Sequence, residues 1–191
     1  MARATMADLI QELRALTDTA ENQVVIGGTS YWTDDQLQDI LDRHKSFVVD
    51  VALVPAPGYV SGTRVTTDYY IPVDIQSRYM ETDLTVVDSL GNTPEIGYTA
   101  DLPGQRIVFD SDTDGTAYYL RGTVYGMRAC AAEVWQQKAA QRAALINWKA
   151  GGQTLNEDQE YQHCVEMYKL YGGFVALKTA RLTKVGYYSG A

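Results

Sequence analysis

The residues whose types and spacing suit chemistry are few in this chain. Asp110-Ser111-Asp112-Thr113-Asp114-Gly115 sets alternate carboxylates as the opening of a calcium loop does, with side-chain oxygens converging on a hard cation. Such a loop closes with a glutamate six residues after the glycine. Here that position is Arg121, and a guanidinium would repel the ion. The run also lies between two stretches of strand character, where Asp-Gly makes a turn. A structural turn is the expectation, with Asp110, Asp112 and Asp114 kept as a weak metal candidate.

His44 and His163 are the two histidines. His163 beside Cys164 suggests a nucleophile pair, yet neighbouring helix positions point about 100° apart and do not converge on one reacting atom. His44 falls on the apolar seam of an expected helix and reads as a core or interface histidine. There is no nucleophile elbow, Walker loop, dinucleotide fingerprint or zinc spacing. Acidic pairs such as Asp34-Asp35 are explained by the preference of helix starts for negative charge. The expectation is a protein without catalytic residues or cofactor. Cys130 and Cys164 are too few for a disulfide framework and sit on apolar helix faces, so both read as buried free thiols.

The 14 tyrosines include the pairs Tyr69-Tyr70, Tyr118-Tyr119 and Tyr187-Tyr188. In a strand, one ring of each pair faces inward and the other outward. Outward rings could stack sugars or bases, or line a subunit contact where tyrosine is enriched. The contact is favoured because no basic groove accompanies them. The 191 residues carry a formal charge of −8, with 6 Lys+Arg against 15 Asp+Glu in residues 1–100 and 10 against 9 in 101–191. That balance argues against gripping nucleic acid by phosphate neutralisation, although like charge lets DNA slide past. The N-terminus has no apolar core of the secretory kind, and no stretch approaches transmembrane length. A soluble, cytoplasmic protein with no membrane partner is expected.

The elements that must position these residues are read as α+β: a four-helix arrangement, helix-helix then helix-helix, with a small antiparallel β module inserted. Helices are expected at 5–17, 33–54, 126–150 and 155–181, the β insertion at 59–125 and an extended tail at 182–191. Thr5 is a possible cap for the first helix. The second is the organising element. Thr33 with Gln36 forms a capping box, Asp34 and Asp35 occupy the first turn, and Trp32 with Leu37 forms a staple. Its apolar positions run Leu37, Ile40, Leu41, His44, Val48 and Val51, ending before Pro55. Strands are expected at 64–75, 84–87, 106–109 and 117–125, separated by turn signals such as Leu90-Gly91-Asn92 and Asp114-Gly115. Gly151-Gly152 ends the third helix and Thr154 with Glu157 caps the fourth. Trp32, Trp135, Trp148 and Tyr119 are expected in the core or at a subunit contact.

The arrangement resembles the head-completion, or adaptor, proteins of tailed bacteriophages, which form the ring beneath the portal. The resemblance is carried by Leu9-Ile10-Gln11-Glu12-Leu13-Arg14, by Tyr31-Trp32-Thr33-Asp34-Asp35-Gln36-Leu37 continuing to Leu41-Asp42-Arg43-His44, and by the later helix pair around Ala150-Gly151-Gly152-Gln153-Thr154. It covers most of the chain outside 59–125. It implies a structural virion protein at the neck between capsid and tail, made in the host cytoplasm. The partners implied are sister copies in a ring, commonly twelve, the portal protein, a downstream neck or tail protein, and double-stranded DNA passing through without specific binding. Lys184, Tyr187 and Tyr188 would be the portal anchors of the tail. Other readings are a stopper or tail-terminator protein, or a carbohydrate- or calcium-binding module.

Overall fold

The computed structural model describes residues 2–19, 24–26, 29–148 and 154–172. A 3-10 turn at Ala4–Met6 leads into α1 (Ala7–Thr17), followed by β1 (Val24–Ile26), β2 (Thr29–Tyr31) and α2 (Asp34–Arg43). Seven strands follow: β3 (Lys45–Ala52), β4 (Val54–Val60), β5 (Thr63–Tyr70), β6 (Thr85–Asp88), β7 (Tyr98–Asp101), β8 (Arg106–Phe109) and β9 (Tyr118–Tyr125). The chain then forms α3 (Met127–Trp148) and α4 (Thr154–Gly172).

The fold is α+β, but the expected four-helix bundle with a small inserted β module is wrong. The seven strands make two antiparallel sheets, in the orders β3-β9-β6 and β4-β5-β8-β7, and β1 pairs with β2. The main error is the helix expected at 33–54. α2 stops at Arg43, where the His44 N–H donates to the Leu41 carbonyl at 2.9 Å, an i to i+3 bond that tightens the last turn. Residues 45–52 are a strand instead. Phe47-Val48-Val49 joins an aromatic to stiff β-branched side chains, which fit a pleated surface better than a helix. Val48 is buried while Phe47 and Val49 are 72% and 65% exposed, an alternation of period two. Leu41, Val48 and Val51 satisfy a helical spacing by coincidence. The β region therefore starts at 45 and not at 59.

The chain divides into two compact units, Met1–Gln11 with Leu41–Gly126, and Glu12–Ile40 with Met127–Ala191. In the first, both sheets contribute to one core, with Val48, Val86 and Leu120 from the three-stranded sheet and Tyr69, Ile107 and Phe109 from the four-stranded one. β3 and β4 are nearly continuous and change sheets at Leu53, whose N–H donates to the Tyr118 carbonyl at 2.9 Å. The β4–β5 hairpin turns at Ser61-Gly62, both with positive φ (50° and 83°), as a two-residue type I′ loop requires. Strands occupy parts of all four stretches read from the sequence, while β1, β2, β3, β4 and β7 lie outside them.

In the second unit α3 and α4 run antiparallel: Trp135 meets the His163 ring at 5.5 Å, and further along α3 Arg142 pairs with Glu160 at 3.1 Å, one turn earlier in α4. Trp135, Ala139 and Cys164 are buried together there. Residues 149–150 and 173–181 of the expected helices, and the tail at 182–191, lie outside the described residues.

Candidate functional site

The Asp110–114 run connects β8 to β9, which belong to different sheets, so its turn is a crossover and not a hairpin. Its chemistry is directed at a bulge. Between the pairs Ala56↔Asp68 and Gly58↔Val65, Thr66 and Thr67 of β5 oppose Pro57 alone. Proline has no N–H to offer the ladder. The Thr66 carbonyl accepts instead from Thr113 Oγ1 at 2.7 Å, and the Thr66 N–H donates to Asp112 Oδ1 at 2.8 Å. Asp112 Oδ1 also accepts the Asp114 N–H at 3.0 Å. These backbone donors hold the Asp112 carboxyl below its ordinary range. Thr113 in turn meets the Tyr69 hydroxyl at 2.6 Å beneath a ring cluster of Tyr69, Phe109 and Tyr118. The run therefore pins a β-bulge. Among the described residues, no group of three or more His, Cys, Asp and Glu is placed to hold a metal ion.

A second set of charges serves helix ends. Arg14 is buried, and its guanidinium donates to the Thr19 carbonyl at 2.5 Å, the Trp32 carbonyl at 2.9 Å and Asp34 Oδ1 at 2.7 Å. One arginine thus ties the segment after α1 to the start of α2. That start has the expected capping box: the Gln36 amide oxygen accepts the N–H of Trp32 at 2.5 Å and of Thr33 at 3.1 Å, and Thr33 Oγ1 accepts the Gln36 N–H at 3.4 Å. Trp32 is buried with φ of 67°, and its indole N–H has no partner among the described residues. Lys138 caps the other end of the motif, donating to the carbonyls of Thr17 (2.6 Å) and Asp18 (2.9 Å) with its ammonium over the Trp135 ring. Burial lowers the Lys138 pKa, and raises that of the Cys164 thiol. Cys130 and Cys164 are both buried.

In the first unit Glu81, 4% exposed, is the hub of a further network. Its Oε1 accepts from Thr5 Oγ1 at 2.5 Å and Arg3 Nε at 3.0 Å, and its Oε2 from the Tyr125 hydroxyl at 2.6 Å. Thr5 is therefore no helix cap. Burial alone would push the Glu81 carboxyl up, but the bonds from Thr5, Tyr125 and Arg3 outweigh it and hold the pKa down.

Outside these networks several large apolar side chains are exposed. Phe47, Val49, Val54, Tyr59 and Val60 are each more than half exposed, and all lie on β3 and β4, one edge strand of each sheet. Beside them, a depression of about 340 Å³ is lined by Asp50, Asp88, Leu90, Tyr119 and Arg121 among others. A β3 bulge between Val48 and Val51 leaves Asp50 opposite Arg121 at 2.6 Å, with Asp50 at φ 52°. Asp88 is committed to its own turn, accepting the N–H groups of Leu90 and Asn92 at 2.8 and 2.9 Å. Exposed, charge-poor β edges are suited to holding another protein.

Of the residues singled out in the sequence, Trp32 and Trp135 are buried, and Tyr119 is half-buried at the rim of this depression. The side chain of Trp148, and Lys184, Tyr187 and Tyr188, lie outside the described residues. Tyr69 and Tyr118 face the core, whereas Tyr70 is half exposed. The Phe47 and Val49 pair escaped sequence reading because those residues were assigned to a helix. The period-two alternation Phe47/Val48/Val49 was the signal that could have found it. No protein-family model, curated protein or solved structure matches the chain. No helix among the described residues is long and apolar enough to cross a membrane.

Proposed function

We propose that the protein is a structural subunit of the neck of a tailed bacteriophage, an adaptor that forms a ring beneath the portal and joins capsid to tail. The observation that carries this reading is the Arg14 clamp. Arg14 closes the Leu9–Arg14 motif and grips the Trp32 carbonyl and the Asp34 carboxylate of the Tyr31–Leu37 motif. The first two of the three stretches that carry the resemblance are thus joined, by a buried guanidinium between one helix and the start of the next. The antiparallel α3–α4 pair supplies its third piece. The overall net charge of −8 suits a conduit that DNA must traverse without sticking. The sister copies, the portal contact through Lys184, Tyr187 and Tyr188, and the DNA channel belong to this proposal.

The test is reconstitution. DNA-filled capsids that carry a portal but lack this protein are incubated with the full chain and then with tails. Tail joining restored by wild type and lost with Arg14→Ala, at a temperature where the variant is folded, supports the reading. Capsids that neither bind the wild-type chain nor join tails in its presence overturn it.

A further inference from the structure

One edge of each of the two sheets in the first unit is formed by a single length of chain. Residues 46–63 form almost all of β3, all of β4 and the hairpin turn, and the one formal charge among these 18 residues is Asp50. That charge is already met by Arg121 at 2.6 Å. Over the whole sequence charged residues make up 21%, and the net charge is −8. Within this neutral strip Phe47 is 72%, Val49 65%, Val54 53%, Tyr59 76% and Val60 63% exposed. The two aromatic rings alone present roughly 300 Å², and with the three valines the strip reaches on the order of 500 Å². That is more than half of the ~800 Å² that each partner buries in a standard stable interface.

We propose that this strip is a contact surface for a second copy of the same chain. Like-charged copies repel across most of their surface, and the distance over which they do so is about 8–10 Å at ordinary salt. They can approach closely only where charge is absent or internally neutralised, which is the character of residues 46–63. A strongly basic partner would instead be drawn to the acidic surface and gain little from this strip. The manner of contact is also constrained. The bulge at Val49 and Asp50 interrupts β3, so adding a neighbour's strand to that edge in continuous register is blocked. The contact is made by side chains, with Phe47 and Tyr59 as its anchors.

The proposal deepens the ring reading and rests on it for the number of copies. Native mass spectrometry and sedimentation velocity of the full chain, over a hundredfold range of concentration, test both. The variants are Phe47→Lys and Tyr59→Lys, with Val73→Lys as a control, since Val73 is 86% exposed but lies off the strip. The expected result is a multimer for wild type and Val73→Lys and a loss of at least tenfold in association for the two strip variants, with circular dichroism unchanged. A closed multimer untouched by either strip substitution overturns the strip and leaves the ring standing. A dimer abolished by them supports the strip and overturns the ring. A wild-type monomer at every concentration overturns both.

Discussion

Trp32 combines three features that are costly apart: a bulky side chain at positive φ, near-complete burial, and an indole N–H without a partner among the described residues. Its ring volume outweighs its donor. Trp32→Phe is therefore expected to change stability by less than about 1 kcal/mol, because an unpaired buried donor disappears along with some ring area. Trp32→Ala should cost about 3–5 kcal/mol through the cavity it leaves. Urea unfolding of the two variants checks the pair, and a Trp32→Phe as damaging as Trp32→Ala would mean that the indole N–H is satisfied. Glu81 has a pH signature of its own. Its carboxyl pKa is lower in the folded protein than the ordinary 4.5, so its stabilising contribution is present above that value and lost as pH falls through the folded pKa. Glu81→Gln should lower stability at neutral pH by about 2 kcal/mol, by weakening hydrogen bonds to a charged acceptor. It should also flatten the loss of stability in acid, which denaturant curves at several pH values would reveal.

At the scale of elements, the informative case is the passage from α2 to β3. The capping box at Thr33 and Gln36 was legible because it is a local signal, complete within four residues, and it forms as read. The end of α2 was not. No glycine or proline marks Arg43-His44, and the seven-residue step from Leu41 to Val48 continues a helical stripe as well as it begins a strand. What decides is pairing with β9, some 75 residues away, which a local reading does not contain. The Tyr69-Tyr70 and Tyr118-Tyr119 pairs were legible for the opposite reason, since strand alternation fixes one ring inside whichever strand lies alongside. The purpose of the Asp110–114 run was hidden, because the bulge it pins lies in β5. The β3 bulge invites a direct test. Asp50 sits at φ 52°, a conformation aspartate tolerates better than a β-branched residue does. Asp50→Val should cost about 1–2 kcal/mol, whereas Asp50→Gly should remain close to wild type, relieving the backbone while giving up an exposed ion pair of little worth. Thermal melts of the two variants distinguish backbone strain from the ion pair: equal losses would place the contribution in Arg121.

At the scale of the whole molecule, the charged side chains that are buried serve helix ends and the N-terminal segment, and Phe47, Val49, Val54, Tyr59 and Val60 are left exposed along two edge strands. Such a distribution is what the proposed contact between copies requires. The most direct measurement is negative-stain imaging of the purified full chain, together with its native mass. Annular particles with a central opening, and a mass that is a fixed multiple of 21.2 kDa near twelve, are the expected result. A field of single 21.2 kDa particles at micromolar concentration, with a mass that does not change on further concentration, would contradict it.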